Sequence, residues 1–201
     1  VCPPLGRVVL YPGHMYKRVV VAVLLTTASC GDDGGSTIPD GPGGGGSPDE
    51  PANLTGITAA HNAVRAMVQT SPALPALTWN KDLAATAAAW VAMCKDGPPS
   101  DGLIDHNAGR STGHPYYVGE NVFGGSGNVT AQQAVDLWAG EKANYTYATN
   151  TCSGTCGHYT QIVWRDTLEL GCAMGTCPNL QFKNVIVCDY GPGGNSGGAP
   201  Y

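Results

Sequence analysis

The stretch GHYTQIVW, residues 157–164, contains a histidine whose surroundings could make it chemically active. Its alternating pattern predicts a β-strand in which His158, Ile162 and Trp164 share one face. An imidazole half-buried beside an indole needs a hydrogen-bond or metal partner, because an unpaired buried polar group costs about 1 to 3 kcal/mol. The sequence therefore predicts a partner for His158, although a core histidine bonded to a backbone carbonyl is an equally good interpretation.

Three further side chains are candidates for this partnership. Glu141 interrupts the apolar stripe of a predicted helix, where a carboxylate needs a cation. Glu120 interrupts an apolar loop segment, YYVGENVF, and His106 precedes it in DHN. Two histidines and two glutamates could pair with one another, or could hold a divalent metal through neutral imidazoles. The alternatives are ion pairs with a nearby lysine or arginine, or purely structural roles.

The candidates are distributed over predicted helices, strands and one long loop. The helical segments are LTGITAAHNAVRAMV, NKDLAATAAAWVAMC and VTAQQAVDLWAGEKANYTY, with caps expected at Thr55 and near Asn80 and with the third helix beginning near Thr130. The loop between the second and third helices contains DHNAGRSTGHPYYVGENVF, and a loop of this length is usually functional. Period-two patterns in HYTQIVW, LELGCAM and NVIVCDY predict three strands. Helices followed by a small, covered sheet predict an α+β fold, a three-layer α/β/α sandwich.

Two other histidines and the C-terminal tail are predicted to lie outside the site. His61 is on the apolar stripe of the first helix, which favours a satisfied core histidine. His114 is interpreted as an ordinary loop residue. The glycine- and proline-rich tail, residues 192–201, is predicted to be an exposed coil whose deletion costs about 1 kcal/mol or less.

The N-terminal quarter of the chain indicates export and a tether rather than a folded domain. Residues 15–30 combine cations, an apolar run and small residues before Cys30, which predicts a signal peptide ending at a lipobox-like, acylated cysteine. Residues 1–14 precede this complete signal and are interpreted as an upstream mis-start. Residues 31–53 are rich in Gly and Pro and predict a flexible linker, so the folded domain is expected over residues 54–201.

Charge and cysteine content agree with an exported protein. The formal net charge of −5 predicts no nucleic-acid partner. Six cysteines follow the signal, an even number, and none has the spacing of a zinc ribbon or finger, so disulfides are favoured over a zinc site. They are Cys94, Cys152, Cys156, Cys172, Cys177 and Cys188. Their possible pairings stay open from the sequence alone.

The motifs HNAVR, GENVF, DLWAGEKANY, CGHYTQIVW and CDYGPGGN occur in the order and spacing of the CAP superfamily. This superfamily comprises cysteine-rich secretory proteins, antigen-five allergens and plant pathogenesis-related proteins. The chain most resembles the plant class-one group over residues 54–201, and the combination of motifs is highly specific. The resemblance implies an α/β/α sandwich with a central cleft. A tetrad of His106, Glu120, Glu141 and His158 would line this cleft.

The resemblance also implies disulfides and a ligand site. The implied pairs are Cys94 with Cys177, Cys152 with Cys156, and Cys172 with Cys188. We expect His106 and His158 to hold a divalent metal, zinc, while the two glutamates orient imidazoles or a bound water.

Two functions are open for such a cleft. The favoured one is a secreted, monomeric, non-enzymatic module, held on a membrane at most through a lipid anchor on Cys30. It would bind a lipid or sterol, a divalent metal or a partner protein. The alternative is a metal-dependent, peptidase-like hydrolase in which one glutamate acts as base on a zinc-activated water. Binding is favoured because neither an HExxH helix nor a strand-to-helix GxSxG elbow is predicted.

Overall fold

The computed structural model describes residues 46–201. The predicted mis-start, the signal peptide, Cys30 and the first part of the linker lie outside these residues. In the described part, no helix is long and apolar enough to cross a bilayer. The α-helices are α1 Ile57–Ala66, α2 Lys81–Met93, α3 Ala131–Gly140 and α4 Gly157–Ile162. The strands are β1 Thr78–Trp79, β2 Gly119–Gly125, β3 Tyr145–Thr146, β4 Thr151–Cys152, β5 Glu169–Thr176 and β6 Asn184–Gly191.

A four-stranded sheet in the order β1-β5-β6-β2 forms the middle layer. Only the β1–β5 pair is parallel within this sheet. Successive side chains of β6 point to opposite faces: Ile186, Cys188 and Tyr190 pack in one hydrophobic cluster with α1 and α3, whereas Val185 and Val187 pack in another with α2. The predicted α+β sandwich of three layers is therefore confirmed, with α2 on one face and α1, α3 and α4 on the other.

The predicted cap near Asn80 is present, and α3 begins directly after Thr130, as predicted. The Asn80 side chain accepts hydrogen bonds from two backbone N–H groups of α2. Thr130 and Gln133 form a capping box at the start of α3, each side chain accepting a bond from the other residue's N–H. α3 ends at Gly140, earlier than the predicted segment, and a 3₁₀ turn, Glu141–Asn144, follows it.

The predicted cap at Thr55 is wrong, and Glu50 performs that role instead. The Glu50 carboxylate accepts hydrogen bonds from the N–H groups of Gly56 at 2.6 Å and Thr58 at 3.0 Å. The Thr55 hydroxyl instead donates to the Ala52 carbonyl. Thr55 is thus the C-terminal cap of a 3₁₀ turn over Ala52–Leu54. The folded unit therefore begins before residue 54, inside the segment predicted to be a linker.

The predicted strand HYTQIVW is wrong, because residues 157–162 form the helix α4. The Glu141 carboxylate accepts hydrogen bonds from the first N–H groups of α4, those of His158 and Tyr159, and so stabilises its N-terminus. His158, Ile162 and Trp164 therefore do not share a strand face. The other two predicted strands are present as β5 and β6. The GENVF segment, predicted to be loop, forms the edge strand β2.

The described residues contain three disulfides, with the pairing that the resemblance implies. Cys94–Cys177 connects the end of α2 to the turn after β5. Cys152–Cys156 connects β4 to the residue before α4. Cys172–Cys188 joins directly opposite residues of β5 and β6.

The C-terminal tail is a coil, as predicted, but it is only partly exposed, because Gly193, Gly194 and Pro200 are buried and other tail residues contact the domain. The Arg165 N–H donates to the Pro200 carbonyl at 2.7 Å. The Asn195 side chain exchanges hydrogen bonds with α4 in both directions. The ring of Tyr201 stacks on Tyr147, with centroids 4.5 Å apart and planes 5° from parallel. Glycine-rich composition correctly excluded a strand here, but it did not exclude ordered irregular structure.

Candidate functional site

The edge strand β2 places two consecutive polar residues on opposite faces of the sheet. Glu120 is directly opposite Asp189 of β6, whose side chain follows Val187 on the α2 side. Asn121 points to the other face, where its amide donates to the His158 carbonyl at 3.1 Å. Each of the two His–Glu pairs of the site is therefore adjacent to β2, the edge strand of the sheet.

The first pair consists of His106, from the long loop, and Glu120. The His106 Nδ1 atom lies 2.6 Å from Glu120 Oε1, which also accepts the N–H of Asn107 at 2.9 Å. The Glu120 side chain is completely buried, whereas 55% of the His106 side chain is exposed. A buried carboxylate thus fixes an imidazole that solvent can reach.

The second pair consists of His158, from α4, and Glu141. The His158 Nδ1 atom lies 2.6 Å from Glu141 Oε1, while Glu141 Oε2 accepts the backbone N–H groups at the start of α4. The exposed fraction of the His158 side chain is 25%. The indole stacked beside this imidazole is that of Trp138, at 6.1 Å and 21°. The sequence predicted an indole neighbour but assigned it to Trp164.

The two pairs share one arrangement of ring nitrogens. In each histidine Nδ1 contacts a glutamate, and among the described residues Nε2 has no protein partner. A carboxylate at Nδ1 favours the proton on that atom, which leaves the Nε2 lone pair free to bind a metal. Within residues 46–201, however, no group of three or more His, Cys, Asp or Glu side chains is arranged to hold a metal ion. A metal ion bound at these imidazoles would therefore have at most two of the described His, Cys, Asp and Glu side chains as ligands.

A buried hydrogen-bond chain connects the site to the core. Asn121 donates to the Tyr190 hydroxyl at 3.0 Å, and this hydroxyl lies 2.9 Å from His61 Nε2. The Nδ1 atom of His61 lies 2.7 Å from the Ile57 carbonyl. Burial lowers the pKa of His61 to about 4, so the ring is neutral at physiological pH. The prediction of a satisfied core histidine is thus confirmed. The ring of His114, in the long loop, has a hydrogen bond with the Thr86 hydroxyl of α2.

Two residues of this region were not identified from the sequence. Asn121 follows Glu120 in GENVF, and two consecutive polar residues before an apolar pair were a usable signal. Asp189 is a carboxylate within the otherwise apolar run NVIVCDY, which forms β6, and it is completely buried. A charged residue inside a covered strand was a signal of the same kind as Glu141 in its apolar stripe.

The chain belongs to the CAP family, the cysteine-rich secretory protein family, which matches residues 58–190. Pathogenesis-related protein 1 of Arabidopsis thaliana is 41% identical over 136 residues, covering 68% of this chain and 74% of that protein. Among solved structures, Schistosoma mansoni venom allergen-like protein 4 is 28% identical, with a TM-score of 0.61, covering 76% of this chain and 95% of that one. The structure of NaASP2 with Zn²⁺ is 25% identical, with a TM-score of 0.54, covering 77% and 88%. The three disulfides fit a secreted member of this family.

Proposed function

We propose that this extracellular CAP domain is a binding module whose cleft takes a divalent metal, zinc, on the Nε2 atoms of His106 and His158. The observation that carries the proposal is the pair of 2.6 Å contacts between each Nδ1 atom and a glutamate. Glu120 and Glu141 would act as orienting groups, which fix the ring positions and raise the basicity of the free nitrogens. Zinc in the structure of NaASP2 supports the choice of metal.

Two protein ligands make a weak and exchangeable site rather than a structural one. Structural zinc is held by four protein ligands, and catalytic zinc usually by three. A metal held by two imidazoles keeps several coordination positions for water or for a ligand brought by a partner. Zinc in this cleft would therefore suit recognition of an oxygen- or nitrogen-bearing ligand, and it would not be required for folding.

The two carboxylates favour binding over hydrolysis. A general base needs an oxygen that can reach the water it deprotonates. Both oxygens of Glu141 already accept hydrogen bonds, and Glu120 Oε1 accepts two more. The remaining oxygen, Glu120 Oε2, is buried. The letters of GxSxG do occur at residues 194–198, but these residues belong to the packed tail and no helix follows them. A metal-dependent hydrolase, the alternative function, would need one glutamate to leave its histidine.

An apolar ligand is a second candidate, supported by a groove away from the cleft. This groove has a volume of about 440 Å³ and lies between α2 and β5. Its walls include Trp79, Ala84, Ala88 and Met174. Mass spectrometry of organic extracts from the purified protein tests this ligand, with a substitution of Ala88 by Glu as the variant that should exclude it. A lipid anchor on Cys30 and a monomeric state remain parts of the same proposal.

Calorimetric titration with zinc chloride tests the metal site, after prior treatment of the protein with a chelator. We expect one zinc per chain in the wild type and no stoichiometric binding after His106→Ala or His158→Ala. His114→Ala is the matched control, since this loop imidazole contacts Thr86 and neither glutamate. Melting temperatures should be similar in all variants. Unchanged zinc affinity in the His106→Ala, His158→Ala double variant would refute the proposal.

A further inference from the structure

Asp189 is a completely buried carboxyl group next to the first His–Glu pair. It lies in β6 directly opposite Glu120 of β2. Among the described residues, neither Asp189 oxygen has a hydrogen-bond partner, and Glu120 Oε2 also lacks one. Three partnerless oxygens of two carboxyl groups are thus buried side by side. An arrangement in which both groups are ionised would leave all three buried oxygens without a hydrogen-bond donor among the described residues.

The strand register brings the two side chains close together. The Cα atoms of Cys172 and Cys188 are 4.1 Å apart, as in a pair that exchanges no backbone hydrogen bonds. The backbone groups of Cys188 therefore face β2, and those of Asp189 face β5. It follows that Glu120 and Asp189 also form a pair without mutual backbone bonds. Side chains are closest in such pairs, with Cβ atoms about 4.5 to 5.5 Å apart.

The charges around Asp189 favour its protonated form. Burial, followed by the charge of Glu120, raises the pKa of Asp189 to about 8. The one cation that opposes this effect is Arg110, whose guanidinium donates to the Val118 and Asn107 carbonyls and to the Tyr117 hydroxyl. Arg110 thus makes no hydrogen bond to either carboxylate. Two adjacent buried carboxyl groups can satisfy each other by sharing one proton.

We propose that Asp189 is a positioning residue that stays protonated and donates its O–H to Glu120 Oε2. This donation satisfies the buried oxygen and fixes the Glu120 carboxyl group with Oε1 directed at His106 Nδ1 and the Asn107 N–H. The chain Asp189–Glu120–His106 then sets the tautomer of the exposed imidazole. The inference deepens the proposed metal site and rests on it only for the role of His106 as a ligand.

The matched variants are Asp189→Asn and Asp189→Leu. Asparagine keeps a donor for Glu120 and cannot ionise, whereas leucine has a similar volume and no donor. In the leucine variant Glu120 Oε2 loses its donor, so the Glu120 side chain is no longer held in place and its bond to His106 weakens. We expect the wild type and Asp189→Asn to hold His106 in the Nδ1–H tautomer, as measured by ¹⁵N NMR of the ring. We expect a mixture of tautomers in Asp189→Leu.

Zinc titration of the same three proteins supplies the second measurement. Loss of an outer partner of a metal-binding histidine costs about 10-fold or more in affinity. We therefore expect Asp189→Asn to bind zinc as the wild type does and Asp189→Leu to bind it about 10-fold more weakly. Thermal melting checks that all three proteins fold. The inference would be overturned if Asp189→Asn lost as much zinc affinity as Asp189→Leu and showed the same mixture of His106 tautomers.

Carboxyl ¹³C NMR of wild-type protein without metal separates this inference from the proposed function. At about pH 6 an ordinary aspartate is ionised, since its pKa is about 3.9. We expect the Asp189 carboxyl carbon, assigned by its absence in Asp189→Asn, to have the shift of a protonated acid. A chemical shift typical of an ionised carboxylate at Asp189 would refute the inference, whether or not the protein binds zinc. A protonated shift in a protein that binds no zinc would refute the metal site alone.

Discussion

Replacing Asp189 by asparagine is expected to change how the stability of the domain depends on pH. Two buried groups, His61 and Asp189, determine this dependence, and they act in opposite directions. Each has a different proton affinity in the folded and unfolded chains, and such a difference makes the free energy of unfolding change with pH. The three disulfides are intact throughout, so the comparison concerns the oxidised protein.

His61 lowers stability on the acid side. Its pKa is lowered from 6.5 in the unfolded chain to about 4 in the folded one, chiefly by burial. Between these values the unfolded chain binds a proton that the folded protein does not, so stability rises as pH rises from 4 to 6.5. At 1.36 kcal/mol for each pKa unit, the change amounts to about 3 kcal/mol. Above pH 6.5 this contribution is constant.

Asp189 has the opposite effect over a wider range. Its pKa is raised from 3.8 in the unfolded chain to about 8 in the folded protein, first by burial and then by Glu120. The folded protein therefore keeps a proton that the unfolded chain has lost, and stability falls as pH rises through this range. The total is at most about 6 kcal/mol, of which about 2 kcal/mol falls between pH 6.5 and 8.

The sum of the two effects is testable by urea unfolding at several pH values. The wild type should change little between pH 4 and 6.5, where the effects offset, and should lose about 2 kcal/mol between pH 6.5 and 8. Asp189→Asn should gain about 3 kcal/mol from pH 4 to 6.5 and stay level above it. Asp136→Asn, an exposed change on α3, is the control. If Asp189→Asn loses stability above pH 6.5 as the wild type does, the reasoning is refuted.

Two further predictions concern contacts that the sequence did not reveal. Deletion of residues 192–201 should lower the free energy of unfolding by about 3 kcal/mol or more, as measured by chemical unfolding. The deletion removes several hydrogen bonds to α4 and Arg165 and the stacking of Tyr201 on Tyr147. A loss under about 1 kcal/mol would show that these contacts are weak. Glu50→Ala should cost about 1 to 2 kcal/mol and Thr55→Ala only a few tenths, since Glu50 caps α1; equal losses would contradict this assignment.

Local signals were sufficient where the stabilising contact is local. Asn80 and Thr130 cap their helices through N–H groups two or three residues away, so residue type and position predicted the cap at Asn80 and the start of α3 near Thr130. The strands β5 and β6 were recognised because their apolar runs are long and bounded by turns. Thr55 failed as a cap because a carboxylate five residues earlier, Glu50, reaches the same helix end by folding back over a 3₁₀ turn.

The remaining elements depend on contacts that are distant in sequence. α4 has six residues, too few for its periodicity to separate a helix from a strand. β2 begins with Gly119 and ends with Gly125, a composition that indicates a loop, and it is a strand because β6 pairs with its whole length. Asp189 was a visible anomaly in the sequence, but its partner Glu120 became evident only from the β2–β6 register.

Glu141 explains why a wrong secondary structure still led to a useful pairing hypothesis for His158. The need of a partly buried imidazole for a partner depends on solvation and charge, and it is the same in a strand or a helix. In the structure the Glu141 carboxylate has two roles. Its Oε2 atom accepts hydrogen bonds from N–H groups in the first turn of α4, and its Oε1 atom contacts the His158 ring. Glu141 thus stabilises the N-terminus of α4 and also orients the ring of His158, which lies in the first turn of that helix. Substitutions of Glu141 will therefore alter local folding and ligand binding together, whereas the Glu120 pair can be weakened through Asp189 while α4 is left intact.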